Sequence, residues 1–465
     1  MKRILPSCAL ALALAGCAMT PAYDRPAAPV PATWPAGSGD TAEAEGALPD
    51  VSYREVFRDA RLQALVGAAL ENNRDLRIAA ANLAAARARV RVVRSAQIPE
   101  LGAGGSAGFQ TGGGLADRES YALEAGIAGF ELDLFGRLAS ATAAERERAL
   151  ASEAAAQTVR LGLIADLANA WATYAADREL LAIAADTAAN GRRAVELTSA
   201  RLDGGVAPRT DLRQAEQVLA TTEGDLAVQA AAVAQGENLI RLLVGADVDP
   251  ALLPAGLEEA LASVATLPAG TDSSVLLRRP DIAQAEYLLR AANADIGVAR
   301  AELFPRISLT GLAGVASDAL GSLLGGDAFS ASFAGSVAYA IFDGGGRRAN
   351  LAVSEAERNA ALAAYERAIQ TAFREVADVL AVQATIAEQV RAARANSAAA
   401  ADTASLSEAR YRGGIESFLA SLDAQRSLYS ARQREAAIVL SAIRNRIELY
   451  RVLGSESARW VTDAD

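Results

Sequence analysis

The apolar positions in the second half of the chain recur at coiled-coil spacing. Between about Arg347 and Ala409, a stretch without proline, they lie three or four residues apart, at Leu362, Tyr365, Ile369, Phe373, Val376 and Leu380. Residues at this spacing share one face of a helix. The pattern predicts a helix of roughly 60 residues, or about 90 Å. In the first half, the matching positions are Leu163, Leu167, Ala170 and Tyr174.

In short stretches ahead of the long helices, successive residues instead alternate between an apolar face and a second face. Ile307 to Ala316, Ala331 to Ile341 and Tyr121 to Ala128 alternate between two faces. Strands of about ten residues with one apolar face are typical of outer-membrane barrels, and a soluble sandwich is the alternative on this signal alone. Four strands per chain cannot close a barrel, and open edges are not tolerated in lipid. We therefore expect three chains to supply twelve strands.

The two halves of the chain repeat one arrangement. Ala96–Leu101 recurs as Glu302–Ile307, and Arg201–Val206 recurs as Arg410–Ile415 at almost the same offset. Each copy reads as a helix, a pair of strands, a very long helix, a Gly-Gly turn and a further helix. The sequence therefore predicts two internal structural repeats.

The N-terminus has the layout of a bacterial export signal. Lys2 and Arg3 precede an apolar stretch from Ala9 to Ala15, which is too short to span a bilayer as a helix. Leu14–Cys17 matches the lipobox, which implies cleavage before Cys17 and lipid attachment to it. In the alternative, a plain secretory signal, Cys17 would be an unpaired thiol in an oxidising compartment.

Composition excludes several classes of function. Hydrophobic residues make up 52% of the chain but aromatic residues only 5%, so small apolar side chains dominate, which suits close helix packing. Histidine, the commonest general base and metal ligand, is absent. The glycine runs at 112–114 and 344–346 lack phosphate-loop spacing. With a net charge of −11, nucleic-acid binding is also disfavoured. We expect no enzyme activity, no metal and no cofactor other than the covalent lipid on Cys17.

Five segments carry a resemblance to a known family. They are Pro21–Pro26, Glu71–Arg77, Phe130–Arg137, Leu277–Ile282 and Leu422–Leu428. In this order and spacing the chain resembles the outer-membrane efflux channels of the TolC and OprM kind, and more closely their NodT-type lipoprotein branch, over nearly the whole mature sequence. The resemblance implies a homotrimer, in which a twelve-stranded outer-membrane β-barrel continues into a long periplasmic α-helical barrel.

The resemblance also implies partners and a role. The channel is expected to be a passive exit duct for drugs or other small molecules, which an inner-membrane RND-type pump delivers through a periplasmic adaptor. Type I secretion or metal efflux through the same fold is the alternative. A periplasmic adaptor fits less well, because adaptors have one helical hairpin and a lipoyl-like middle, whereas this chain has duplicated hairpins with barrel-type strands.

The signal, the repeat and the resemblance divide the chain into six predicted segments. These are a signal peptide (1–16), a lipid-anchored extended arm (17–60), a first repeat (61–244, strands at about 102–134), an inter-repeat equatorial segment (245–276), a second repeat (277–455, strands at about 306–342) and a C-terminal tail (456–465). The mature protein is expected in the outer membrane, where it is anchored by lipid, spans the bilayer and extends into the periplasm.

The Gly-Gly turns locate a candidate functional site. Gly204-Gly205 and Gly413-Gly414 permit tight helix reversal. The strands lie at the opposite ends of the long helices, so these turns are expected at the periplasmic tip, where the resemblance places adaptor docking. It also implies that Leu419 and Asp423 constrict the closed tip, as a steric ring and a carboxylate ring. Nearby charged residues would hold the tip shut, namely Arg410, Arg412 and Glu416. The alternative is that these charges only solvate helix ends.

Overall fold

The computed structural model describes residues 19–34, 52–112, 115–267, 273–325 and 327–454. The predicted signal peptide, Cys17 and the C-terminal tail 456–465 lie outside the described residues. So do residues 35–51 of the predicted arm and residues 268–272 of the inter-repeat segment.

Helices make up most of the described chain. Their bounds are α1 Tyr53–Val56, α2 Ala60–Asn72, α3 Arg74–Ser95, α4 Arg137–Asp203, α5 Arg209–Val244, α6 Leu257–Ser263, α7 Pro280–Ala301, α8 Gly346–Arg412 and α9 Phe418–Leu453. The two longest, α4 and α8, have 67 residues each, which corresponds to about 100 Å of helix. Neither contains proline, and alanine favours the helix throughout. The long helix predicted between Arg347 and Ala409 is therefore confirmed. No helix in the described ranges is both long enough and apolar enough to cross a membrane.

Four antiparallel strands form one sheet in the order β1-β2-β3-β4. The strands are β1 Leu101–Gly112, β2 Leu115–Glu131, β3 Arg306–Ser317 and β4 Phe329–Ala338. The alternation that predicts the last strand continues to Ile341, but the strand ends at Ala338, because its partner β3 begins at Arg306, directly opposite. Large apolar side chains stand exposed on the sheet, among them Phe109, Leu123, Phe333 and Val337.

The described residues fall into two compact units, and each unit takes segments from both halves of the chain. The first contains the N-terminal residues through Ala28, Ala81–Ala154 and Ala283–Ala368, and therefore the whole sheet. The second contains Pro29–Ala80, Ala155–Ile282 and the chain from Ile369 onward.

In the first unit, the N-terminal arm is clamped onto α7. Arg25 donates from Nε to Glu286 Oε1 (2.9 Å) and from Nη2 to Oε2 (2.7 Å). Glu286 is only 6% exposed. Burial by itself raises the pKa of Glu286, but hydrogen bonds from Arg25 and Arg290 outweigh it and lower the pKa. The carboxylate therefore stays charged, and the arm is held by a bidentate ion pair.

The same arm passes so close to α7 that only glycine fits beneath it. A Cβ on Gly297 would lie 2.2 Å from Thr20 Oγ1 and 3.0 Å from Thr20 Cα. Asn293, one helical turn away, donates from Nδ2 to the carbonyl oxygen of Pro21 (2.8 Å). The arm is thus fixed to α7 along its length, from Thr20 to Arg25.

In the second unit, the core is built from aromatic and branched side chains on several helices. Phe57 and Tyr450 are fully buried and pack edge-to-face, with ring centroids 5.3 Å apart. Trp171 is also buried and donates from Nε1 to the carbonyl oxygen of Leu252 (3.2 Å). Ile369 and Val376, at predicted coiled-coil positions of α8, are fully buried, so the helical pattern marks the packed face correctly.

Candidate functional site

Two helix hairpins of the second unit end in turns of the same geometry. Gly205 and Gly414 have φ angles of 71° and 74°, a left-handed conformation that glycine adopts without steric cost. The backbone N–H three residues beyond the end of each helix donates to a carbonyl oxygen at the same position within it: Val206 to Arg201 and Ile415 to Arg410, both at 2.9 Å. This hydrogen-bond pattern is the Schellman motif. It ends α4 and α8 and lets α5 and α9 begin within a few residues.

Replacing Gly414 by alanine is expected to destabilise the second turn by about 1–2 kcal/mol, because a Cβ penalises positive φ. Amide hydrogen exchange should then become faster in residues 410–418. Gly413→Ala is the matched control, since Gly413 does not have positive φ and an added Cβ would lie 3.5 Å from its nearest neighbour. Equal exchange rates in the two variants would contradict the prediction.

An aromatic cluster joins the two hairpins just behind the turns. Tyr411 at the end of α8 packs against Phe418 at the start of α9, with ring centroids 5.3 Å apart. Leu422 and Ala215 complete the buried cluster. The guanidinium of Arg201 lies 4.8 Å from the centroid of the Tyr411 ring, a cation–π contact. Because these residues come from α4, α5, α8 and α9, the cluster ties one hairpin to the other.

The predicted gate residues lie beside this cluster on α9. Leu419 is 58% exposed, and Asp423, one turn further along the same face, is also exposed. Phe418 and Leu422 of the same helix point into the aromatic cluster. The buried pair fixes the rotation of α9, and that rotation leaves Leu419 and Asp423 accessible.

Arg410 and Arg412, the two arginines predicted to hold the tip shut, form different ion pairs. Arg410 Nε lies 3.3 Å from Glu416 Oε2, so these two residues bridge the turn. Arg412 pairs instead with Glu408, one turn back in its own helix. Within the described part of the chain, neither arginine forms an ion pair with Asp423. The structure therefore brings Arg410 and Glu416 together, but it does not bring either arginine to Asp423.

Further along the hairpins, α5 and α9 are linked by a partly buried hydrogen bond. Tyr429 donates its hydroxyl to Asp225 Oδ2 at 3.0 Å. Burial, together with this bond, raises the pKa of Tyr429 to about 12. The phenol is therefore neutral near pH 7 and remains a hydrogen-bond donor. No group of three or more Cys, Asp or Glu side chains in the described ranges could hold a metal ion.

The fold and the paired hairpins place the chain among outer-membrane channels. It matches the crystal structure of the open state of the MtrE outer-membrane channel of Neisseria gonorrhoeae with a TM-score of 0.86 and 34% identity, covering 95% of this chain and 99% of that one. It matches the outer-membrane channel OprN with a TM-score of 0.84 and 30% identity, covering 94% and 99%.

Sequence comparison gives the family. The family model for "Outer membrane efflux protein" matches residues 65–246 and 273–455. The probable efflux pump outer membrane protein TtgC of Pseudomonas putida is 39% identical over 462 residues, covering 97% of this chain and 95% of the relative. The outer membrane protein OprJ of Pseudomonas aeruginosa is 38% identical, covering 96% and 94%. The chain belongs to the outer membrane efflux protein family.

Membership of this family confirms the resemblance drawn from the five sequence segments. The protein is an outer-membrane component of an efflux system, and it is a passive channel rather than an enzyme. The predicted TolC-like class of fold, helical with a sheet, is confirmed as well.

Proposed function

We propose that three copies of this chain form a channel, in which three four-stranded sheets close a twelve-stranded outer-membrane barrel above a periplasmic helical barrel. The observation that carries this proposal is the open sheet. Its edge strands β1 and β4 each have one strand neighbour among the described residues. A lipid bilayer offers no hydrogen-bond partner for an open edge. Closing the sheet with further copies supplies every edge with a partner.

The helix-hairpin tips fit a periplasmic gate and docking point. Exposed Leu419 and Asp423 would form rings around a three-fold axis, where leucine blocks passage sterically and carboxylates repel anions. The Arg410–Glu416 pair would stiffen the turn beside them. The turns at Gly204-Gly205 and Gly413-Gly414 would contact a periplasmic adaptor, which links the channel to an inner-membrane RND-type pump.

The names of the relatives favour small organic cargo. Chains 38–39% identical to this one are described as antibiotic, toluene and solvent efflux pump outer membrane proteins. We therefore propose export of drugs or similar small molecules in preference to type I protein secretion or metal efflux. Cys17, which matches a lipobox, would carry the covalent lipid that anchors the N-terminus in the outer membrane.

Complementation tests this function. The full-length gene, expressed with its cognate pump and adaptor in a strain that lacks its own outer-membrane efflux channels, is expected to lower sensitivity to several antibiotics. Purified protein should run as a trimer in native mass spectrometry and conduct ions in planar bilayers. A protein that inserts and conducts but restores only protein secretion or metal resistance would overturn the assignment of cargo. A monomer without conductance would overturn the channel itself.

A further inference from the structure

A cavity of about 400 Å³ lies within the second unit, where the two helix hairpins meet. Its wall is formed by parts of α4, α6, α8 and α9. The lining residues of α4 fall between Glu179 and Asp186, and those of α9 between Arg432 and Val439, each set on one face of its helix. A cavity of this volume is large enough for a small organic molecule.

Carboxylates outnumber cations on the cavity wall. Four of the lining side chains are acidic and one is basic, namely Glu179, Asp186, Glu258, Glu435 and Arg432. Glu258 and Glu435 are both paired with Arg394 of α8, which lies 3.9 Å from Glu435. In the described part of the chain, Glu179 and Asp186 form neither an ion pair nor a hydrogen bond. Even with Arg394 counted, four carboxylates therefore face two guanidinium groups, and the cavity is negatively charged.

The rest of the wall supplies an apolar surface and an unused polar group. Ile183, Leu257 and Val439 line the cavity from three different helices. Ser397 of α8 lines it as well and is only 8% exposed. Among the described residues, its hydroxyl has no hydrogen-bond partner. Because most buried polar groups in proteins are paired, this hydroxyl is available to a ligand that donates a hydrogen bond.

The arrangement fits an organic cation better than a metal ion or an anion. Within the described ranges, no three Cys, Asp or Glu side chains lie close enough together to hold a metal ion. An anion would be repelled by the unpaired carboxylates of Glu179 and Asp186. An ammonium group has three donors and no acceptor, which suits carboxylates and a serine oxygen. An apolar body attached to it would cover the aliphatic part of the wall.

We propose that this cavity binds a small primary amine with an apolar body. Its positive charge is balanced by Glu179 and Asp186, and one of its N–H groups donates to Ser397 Oγ. The bound amine contacts α4 of the first hairpin and α8 and α9 of the second, so it holds the two hairpins together. Every lining residue belongs to one chain. The proposal is therefore independent of the proposed trimer and of the gate at the tip.

Three ligands with similar apolar bodies test the charge requirement. 2-Phenylethylamine, 2-phenylethanol and phenylacetate are cationic, neutral and anionic at pH 7. Their dissociation constants are measured by saturation-transfer NMR on the full-length protein in nanodiscs of uncharged lipid, with empty nanodiscs as the blank. The amine is expected to bind at least fivefold more tightly than the alcohol, and phenylacetate should bind more weakly than either. Equal binding of amine and alcohol, or tighter binding of phenylacetate, would overturn the proposal.

Neutralising the two unpaired carboxylates tests where the amine binds. Glu179→Gln combined with Asp186→Asn is expected to weaken amine binding about tenfold and to leave binding of the alcohol unchanged, because the charge is removed and the shape is kept. Glu71→Gln combined with Asp75→Asn is the matched control, since both residues are exposed and do not line the cavity. Equal losses in the two double variants would show a general attraction to an acidic protein and would overturn the site.

Ser397→Ala tests the hydrogen bond separately from the charge. Amine binding is expected to weaken about threefold, because a single hydrogen-bond acceptor is lost. The denaturation midpoint of the free protein should not fall, since the Ser397 hydroxyl has no partner in the described part of the chain. An unchanged dissociation constant would show that Ser397 does not accept a bond from the amine.

Discussion

Replacing Arg279 by methionine is expected to lower the free energy of unfolding by roughly 2–3 kcal/mol, because it removes charged hydrogen bonds from the half-buried carboxylates of Asp281 and Glu375. Among the described residues, it leaves Glu375 with only Arg451, at 3.6 Å. Arg279 is only 5% exposed. Its guanidinium reaches Asp281 at 2.7 Å and Glu375 at 2.9 Å, and it donates to the carbonyl oxygen of Val452 at 3.0 Å. A single side chain thus connects the start of α7 with α8 and with the end of α9.

Chemical denaturation followed by circular dichroism measures the effect. Arg434→Met is the matched control, because Arg434 is exposed on α9 and such substitutions usually change stability by less than about 0.5 kcal/mol. Similar midpoints for Arg279→Met and Arg434→Met would show that the buried network contributes little.

The same network predicts how the effect of the substitution depends on pH. Burial alone raises the pKa of Asp281, but hydrogen bonds and charge from Arg279 outweigh it and lower the pKa below its usual range. A carboxyl group with a lowered folded-state pKa stabilises the protein above its unfolded value, about 4, and this contribution is lost as the pH falls through the folded-state pKa. The difference between wild type and Arg279→Met should therefore shrink below about pH 4.

Replacing Leu419 and Asp423 together by alanine is expected to loosen the closed tip. In the proposed trimer this removes a steric ring and a charged ring, so single-channel conductance should rise about severalfold and its cation preference should fall. Cells that express the variant should become more sensitive to large antibiotics. The aromatic cluster at Phe418 and Leu422 is untouched, so the fold of the tip should persist.

The arginines provide internal controls for this prediction. Arg412 pairs with Glu408 in its own helix, whereas Arg410 bridges the turn to Glu416. Combining Arg412→Ala with Asp423→Ala is also expected to loosen the tip. Arg410→Ala should instead loosen the turn, because it removes the ion pair with Glu416. Unchanged conductance and unchanged sensitivity in both the Leu419/Asp423 and Arg412/Asp423 variants would show that these residues only solvate a helix end.

The elements that sequence predicts well here are those with a local repeating pattern. The three-and-four spacing around Ile369 and Val376 identifies the buried face of α8, and two-residue alternation identifies β3 and β4. The Gly-Gly pairs mark both reversals of the chain because positive φ at Gly205 and Gly414 requires a residue without a Cβ.

The contacts that sequence does not predict join residues far apart in the chain. Arg25 and Glu286 form an ion pair although 261 positions separate them, and no local pattern marks either residue as a partner of the other. Tyr411 and Phe418 are a different case, because they lie close together in the chain. Two aromatic residues on either side of a Gly-Gly turn, in a chain with only 5% aromatic residues, are a local signal for a packed cluster at that turn.

The contacts of the N-terminal arm limit the distance between Thr20 and a lipid attached to Cys17. Thr20 is held against Gly297 and lies 3.0 Å from Ser140 Oγ, in the first turn of the helix that leaves β2. Thr20 lies three positions after Cys17, and an extended chain of that length reaches about 10 Å. Thr20 is held beside α4 and α7, so the lipid proposed on Cys17 would be attached within that distance of Thr20. In the proposed channel, such an anchor would limit how far the strands could move along the membrane normal.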